Sequence, residues 1–180
     1  MIAVDDVINR ADGSTIFLDI MKSSLANDPM WVPSQHDRSV LWWSLRLAAT
    51  EDAFDTIREY IAYQAIDYID DIYRLVAMVI YDGHHESVRI LIQDGNLDVN
   101  VPYDGTPLLG IAVRATPILH VAEMVETLLG VGADRHGAAS DGTTILEIAE
   151  QRHMGSYLHS DQVVRDIQVM ETGRMLRMLM

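Results

Sequence analysis

The sequence predicts an all-α fold built from pairs of short helices that stack on one another. Apolar residues recur at helical spacing, most clearly at Val121, Met124, Val125 and Leu128. Gly132 follows this segment, as glycine commonly does just beyond a helix C-terminus. One pair of short amphipathic helices cannot bury both of its faces alone, so we expect the pairs to stack into an α-solenoid.

Composition indicates a folded and strongly acidic protein. Of the 180 residues 49% are hydrophobic and 22% charged, which suits one packed domain and argues against intrinsic disorder. The net charge of −14 would repel phosphate backbones and anionic membranes, so neither nucleic acid nor a membrane is expected as a partner. Cysteine is absent, which fits a reducing compartment. With no secretory signal at the N-terminus, we expect an intracellular protein of the cytoplasm or the nucleus.

Two segments of the C-terminal half carry the same succession of short motifs. The first has Gly-His-His-Glu-Ser-Val-Arg-Ile-Leu-Ile at 83–92 and Asp-Gly-Thr-Pro-Leu-Leu at 104–109. The second has Glu-Met-Val-Glu-Thr-Leu-Leu at 123–129, Gly-Ala-Asp at 132–134 and Asp-Gly-Thr-Thr-Ile-Leu at 141–146. Together these motifs closely resemble those of ankyrin repeats, which have a period of about 33 residues.

The resemblance implies a single ankyrin-repeat domain over residues 1–180, made of helix-turn-helix units joined by short hairpin-like turns. Residues 1–40 would form a divergent N-terminal unit with an irregular loop at 27–37. Residues 41–170 would form the repeat array, and 171–180 a C-terminal tail or cap. An acidic-x-aliphatic signature at Asp55, Glu86, Glu123 and Asp161 recurs after 31, 37 and 38 residues, which brackets the family's period.

The N-terminal elements are predicted from apolar spacing and turn residues. An Asp-Gly-Ser-Thr turn at 12–15 precedes a helix over 16–21, and two prolines then predict an irregular connection in which Trp31 is anchored by burial. Residues 40–49 and 55–61 predict a helix pair. The linker 65–71 lacks a glycine stop, which favours a helical connection over a hairpin.

The C-terminal elements follow by the same reasoning. Residues 72–81 and the segment from His84 predict one pair. Thr106 and Pro107 predict a helix start with threonine as N-cap, and residues 115–120 lengthen the turn to the next helix. Helices are then expected at 144–151 and 161–170, with a lengthened turn at 153–157 and a stop at 172–173. The basic, methionine-rich segment 174–180 would pack on the array or bind a partner.

The resemblance implies that the protein binds another protein through a concave surface of turn tips and first helices. An acidic chain favours a partner with a basic surface. The positions carried over from the family are Asn100, Tyr103, Asp104, Leu109, His136, Ser140 and Asp141. Trp43 is added because adjacent tryptophans on a helix cannot both face the core, and an exposed tryptophan is a typical interface anchor.

Other functions remain as alternatives. The first is an enzyme or small-molecule binder on the repeat scaffold, with His120, His153 and His159 as acid–base candidates. A binding module is favoured over an enzyme because no nucleophile motif is present, and no cofactor or metal site is predicted. His84-His85-Glu86 resembles the family's inter-helix turn more than a metal site. The second alternative is a piece of a longer array, whose apolar ends would cause self-association.

Overall fold

A computed structural model describes residues 12–156 and 162–180, and this part of the chain is all-helical. It contains nine α-helices, a short 3-10 helix at Ala65–Tyr68, and no β-strand beyond two isolated bridges. The helices are α1 Gly13–Asn27, α2 Gln35–Thr50, α3 Phe54–Ala62, α4 Ile72–Asp82, α5 His85–Gln93, α6 Leu108–Ala115, α7 Val121–Gly130, α8 Ile145–Ser156 and α9 Gln162–Leu179. None of these is both long enough and apolar enough to cross a membrane. The prediction of an all-α protein is confirmed.

The chain divides into two compact units, residues 1–75 (unit 1) and 76–180 (unit 2). In unit 1, helices α1, α2 and α3 pack against one another in pairs. The fully buried Tyr60 joins α3 to α1: its hydroxyl donates to the Ser14 carbonyl at 2.9 Å and accepts from the Leu18 N–H at 3.2 Å. Helix α2 begins with a reciprocal capping box between Ser34 and Asp37.

In unit 2, alternate helices pack beside each other. Helix α6 packs against α7 and α8, and α7 packs in turn against α5 and α9. The apolar face predicted for α7 is the buried one, since Val121, Met124, Val125 and Leu128 are all fully buried. Gly132 has φ +96 just beyond α7, which is the glycine stop expected from the sequence.

Several helix boundaries differ from the sequence prediction. The irregular loop predicted at 27–37 is limited to residues 28–34, because α1 extends through Asn27 and α2 begins at Gln35. Thr106 is not an N-cap, because α6 starts at Leu108 with Pro107 in the capping position and no side-chain capping bond. Helix α8 continues to Ser156, so 153–156 are helical and do not lengthen a turn.

The predicted stop at Thr172 and Gly173 was wrong, since α9 runs through both residues to Leu179. Burial of Met175 and Leu179 explains the continuation. It outweighs the cost of about 1 kcal/mol for a glycine inside a helix. Parts of several predictions lie outside the described residues. These parts are residues 8–11 of the predicted first turn, Asp161 of the acidic signature, His159, and the predicted turn residues 157–161.

Candidate functional site

The candidate surface lies in unit 2, on two turns that separate successive helix pairs. In the first turn, Tyr103 and Thr106 exchange backbone hydrogen bonds, each of 3.0 Å. Asp104 and Gly105 between them both have positive φ, +48 and +69. Positive φ at both central residues is the geometry of a tight two-residue hairpin turn, for which Asp-Gly is a favoured sequence. The sequence therefore dictates this turn locally.

The second turn also lies in unit 2, between α7 and α8. The Ala139 N–H donates to the Thr143 carbonyl at 2.9 Å, and Gly142 takes φ +84. The Asp141 carboxylate accepts the Thr143 N–H at 2.9 Å. This hydrogen bond is the main reason that the pKa of Asp141 lies below its usual value. Asp141 therefore keeps its negative charge while it stabilises the turn.

A direct contact holds the two turns side by side. The Ser140 N–H donates to the Gly105 carbonyl at 2.8 Å. A Cβ placed on Gly105 would lie 2.6 Å from Ser140 Oγ and 3.0 Å from Ser140 Cβ. Gly105 is thus required twice, by its left-handed backbone and by the close approach of the next turn.

The side chain of Asn100 makes a second connection between the same two segments. Its Nδ2 donates to the Gly132 carbonyl at 3.2 Å, and its Oδ1 accepts the Asp134 N–H at 2.8 Å. Asp98 and Asp134 in turn accept backbone N–H groups two residues on, each at 2.9 Å. The loops therefore form a connected hydrogen-bonded surface that presents several carboxylates.

A shallow cleft of about 360 Å³ lies between the two turns. Its lining combines apolar residues with groups already engaged in the loop hydrogen bonds: Asn100, Pro102, Gly105, Pro107, Asp134, Gly137, Ala138 and Ser140. Among the polar members, Asn100 and Asp134 already hold backbone groups of the loops.

Six of the eight positions predicted to bind a partner lie on this surface of unit 2. Five are exposed and Tyr103 is half-buried; the exposed ones are Asn100, Asp104, His136, Ser140 and Asp141. The prediction for Leu109 was wrong, since it is 1% exposed. Its apolar side chain faces the core because α6 is covered by both α7 and α8.

Trp43 belongs to unit 1, where it is half-buried. Its ring packs edge-on against Trp42 at a centroid distance of 4.9 Å, and the Arg46 guanidinium lies 5.5 Å from its centroid. Edge-to-face and cation–π geometries are favourable. These contacts hold the ring on α2 and leave it partly exposed, so its role as a partner contact stays a prediction.

The histidines proposed as acid–base candidates occupy separate structural settings. His153 Nδ1 lies 2.7 Å from the hydroxyl of buried Thr172, so it joins α8 to α9. His120 is half-exposed, and its Nδ1 lies 4.0 Å from Glu123 Oε2. Its ring also packs 3.2 Å from the position of a Cβ on Gly83. Within the described residues, no three His, Asp or Glu side chains are grouped so that they could hold a metal ion.

The connecting roles of two side chains, Asn100 and Arg152, were not identified from the sequence. Asn100 lies 34 residues before Asp134, whose N–H it accepts. This separation is close to the period of about 33 residues and could have predicted the contact. Arg152 of α8 donates to the carbonyls of Val113 and Thr116, both at 2.6 Å. Arginine is exposed in most settings, so only the packing of α8 against α6 reveals this role.

A scan against protein-family models found no match, and searches of the curated proteins and of the solved structures returned no match either.

Proposed function

We propose that the protein is a protein-binding module of the ankyrin-repeat type, which holds a partner on the turn surface of unit 2. The observation that carries this proposal is the repeated register of contacts between successive helix pairs. Three side chains form hydrogen bonds with backbone groups at similar separations along the chain. Asn100 bonds to Asp134 over 34 residues, Thr116 to Ile80 over 36 residues, and Arg152 to Val113 over 39 residues. Spacings of this size fit helix pairs stacked with the period of about 33 residues that the motifs imply.

The chemistry of the turn surface favours a protein partner with basic groups. Asp104, Asp134 and Asp141 are exposed on adjacent segments, with half-buried Tyr103 beside them. Tyrosine is a frequent interface anchor, and a row of carboxylates steers a cationic surface towards it. The hydrogen bonds between the turns pre-order this surface, which lowers the entropy cost of binding. We place the interaction inside the cell, in keeping with the cysteine-free composition.

The test separates charge from fold. In the double variant Asp104→Asn plus Asp141→Asn both charges are lost, but an acceptor oxygen remains for the Thr143 N–H and asparagine tolerates the left-handed backbone of residue 104. The matched control, Glu126→Gln plus Glu150→Gln, removes two exposed charges from α7 and α8.

Proteins retained from native extract by the wild type are identified by mass spectrometry, and their dissociation constants are then measured with purified components. We expect the Asp double variant and Tyr103→Ala each to weaken binding roughly tenfold, as loss of an interface anchor does, while the Glu control does not. Equal retention by the wild type and all variants would refute the assignment of this surface. Equal loss in the Glu control would show that overall charge alone attracts the partner.

A further inference from the structure

A groove of about 370 Å³ lies within unit 1, between the loop after α1 and the C-terminal end of α3. Met30 and Trp31 form one side of the groove, and Tyr63, Gln64 and Tyr68 form the other. Met30 is 85% exposed, the most exposed large hydrophobic residue in the described chain. An aromatic and apolar groove at a protein surface commonly marks a binding site.

The loop side of the groove is fixed by its own hydrogen bonds. The Met30 N–H donates to Asp28 Oδ1 and the Trp31 N–H to the Asp28 carbonyl, each at 3.0 Å. The Trp31 ring packs on buried Phe17 with a centroid distance of 6.4 Å. Met30 lies in a turn and Val32 just beyond it; both side chains are exposed, whereas Trp31 between them is half-buried. The exposed methionine is therefore held in place by a structured loop.

The opposite side is equally well defined. Tyr63 ends α3, and Gln64 takes a left-handed backbone with φ +56 before the 3-10 helix Ala65–Tyr68 begins. Ala65 and Ile66 are buried, which anchors this turn in unit 1. Tyr63 remains 39% exposed at the groove. A tyrosine held in this way offers a large contact area with little entropy left to lose on binding.

The charge of unit 1 selects the kind of ligand. Residues 12–75 contain eleven Asp and Glu against five Lys and Arg. Each of the five bases already contacts a carboxylate or an indole ring of the same unit: Lys22 with Glu59, Arg38 with Asp70, Arg58 with Asp55, Arg46 with Trp43 and Arg74 with Trp42. Residues 12–75 therefore carry a net negative charge, which favours a cationic ligand, and aromatic ring faces add to the attraction for a cation.

We propose that this groove binds a peptide segment of a partner protein in which Arg or Lys alternates with apolar side chains. The apolar side chains contact Met30 and Trp31. The cationic groups stack on Tyr63 and approach Asp28 and Asp67, which are exposed and adjacent in sequence to the lining residues Pro29 and Tyr68. The chain's own basic segment 174–180 is not the occupant, because Met175 and Leu179 are buried within unit 2. This groove shares no residue with the turn surface, and its proposal does not depend on the one made for that surface.

Fluorescence anisotropy of the full chain with a labelled synthetic peptide of alternating Arg and Leu tests the proposal. The matched peptide replaces Arg with Glu. Tyr63→Ala is paired with the control Tyr81→Ala, a tyrosine of similar exposure in unit 2. Asp67→Lys is paired with Glu150→Lys, the same change of charge elsewhere. Met30→Ser disturbs no buried residue and keeps the test independent of folding.

We expect saturable binding of the Arg peptide only, weakened roughly tenfold by Tyr63→Ala and by Asp67→Lys. Met30→Ser should weaken binding roughly fivefold through the lost apolar contact. The two control variants should bind as the wild type does. Equal weakening by Asp67→Lys and Glu150→Lys would overturn the proposal in favour of unspecific charge attraction. Unchanged peptide binding in Tyr63→Ala and Met30→Ser would overturn the proposal as well. It would also be overturned if the protein self-associates, if Met30→Ser abolishes that self-association, and if the peptide does not compete with it.

Discussion

The substitution Gly105→Ala tests the contact between the two turns on which the candidate surface depends. Two costs arise at this position. An alanine at φ +69 occupies the left-handed region, which costs about 1–2 kcal/mol. Its Cβ would also overlap Ser140, at 2.6 Å from Oγ and 3.0 Å from Cβ, and relieving such an overlap costs about 1–3 kcal/mol. We expect the free energy of unfolding to fall by about 2–5 kcal/mol, the sum of the two costs.

The same structure supplies controls that separate these costs. Gly132 and Gly142 have φ +96 and +84, and a Cβ at either position would meet no atom within 4 Å. Gly142→Ala should therefore show the backbone cost alone, about 1–2 kcal/mol. In a Ser140→Gly background both overlapping atoms are absent, so Gly105→Ala should cost only that same amount. The difference between the two backgrounds is the coupling energy of the turns.

Urea unfolding followed by circular dichroism gives each free energy, with the slope of the transition checked for constancy. A coupling energy near zero would refute the reasoning, because it would mean that Gly105 and Ser140 are not in contact in the folded protein. A Gly142→Ala cost as large as that of Gly105→Ala would show that backbone conformation alone explains the result.

Three further predictions follow from buried or capping groups. Tyr60→Phe should lower the free energy of unfolding by about 1–3 kcal/mol through loss of two buried hydrogen bonds, whereas Tyr81→Phe should change little. Burial raises the pKa of Tyr60 in the folded protein, so the stability that its protonated hydroxyl contributes is present below the unfolded pKa of about 10 and is lost as pH rises above it. Melting temperatures of the wild type and Tyr60→Phe, compared at alkaline pH, would detect this loss. Asn100→Ala should lower the free energy of unfolding by about 1–2 kcal/mol, because both hydrogen bonds of its side chain are lost. Asn100→Asp should lower it by about half as much, since aspartate keeps the acceptor for the Asp134 N–H. Equal losses for the two variants in urea unfolding would contradict this prediction. Hydrogen bonds from Thr143 and Thr144 lower the pKa values of Asp141 and Glu147, so the stabilisation by these carboxylates is present above the ordinary carboxyl pKa and is lost as pH falls through the lowered values. The double variant Asp141→Asn plus Glu147→Gln should therefore flatten the profile of melting temperature against pH between about pH 5 and 3. An unchanged slope would show that these carboxylates do not contribute to stability.

Local features of the candidate surface could be predicted from the sequence because they depend on neighbours along the chain. The Asp-Gly pair at 104–105 produces a left-handed turn, and Gly132 stops α7, wherever those segments lie. Trp31 was expected to be anchored, and it packs on Phe17. The groove beside it was not predicted, because that requires knowing that Tyr63 and Tyr68 lie across from the loop.

The predictions that failed concern burial, which sequence spacing does not determine. The resemblance to ankyrin repeats implied that Leu109 is a surface residue, yet α7 and α8 both cover its helix. Gly173 predicts a helix stop, yet α9 continues because Met175 and Leu179 are buried. In each case the free energy of apolar burial exceeds the local preference.

The sequence by itself determined that the chain forms short amphipathic helices, where most of them lie, and how the Asp-Gly turns bend between them. These properties depend on apolar period, on the left-handed freedom of glycine, and on side chains that bond backbone groups nearby. Tertiary structure alone decided that Asn100 and Ser140 connect the turns and that Met30 is presented beside an aromatic groove. Those contacts join residues tens of positions apart, and they form only when helix packing brings the segments within hydrogen-bonding or van der Waals distance.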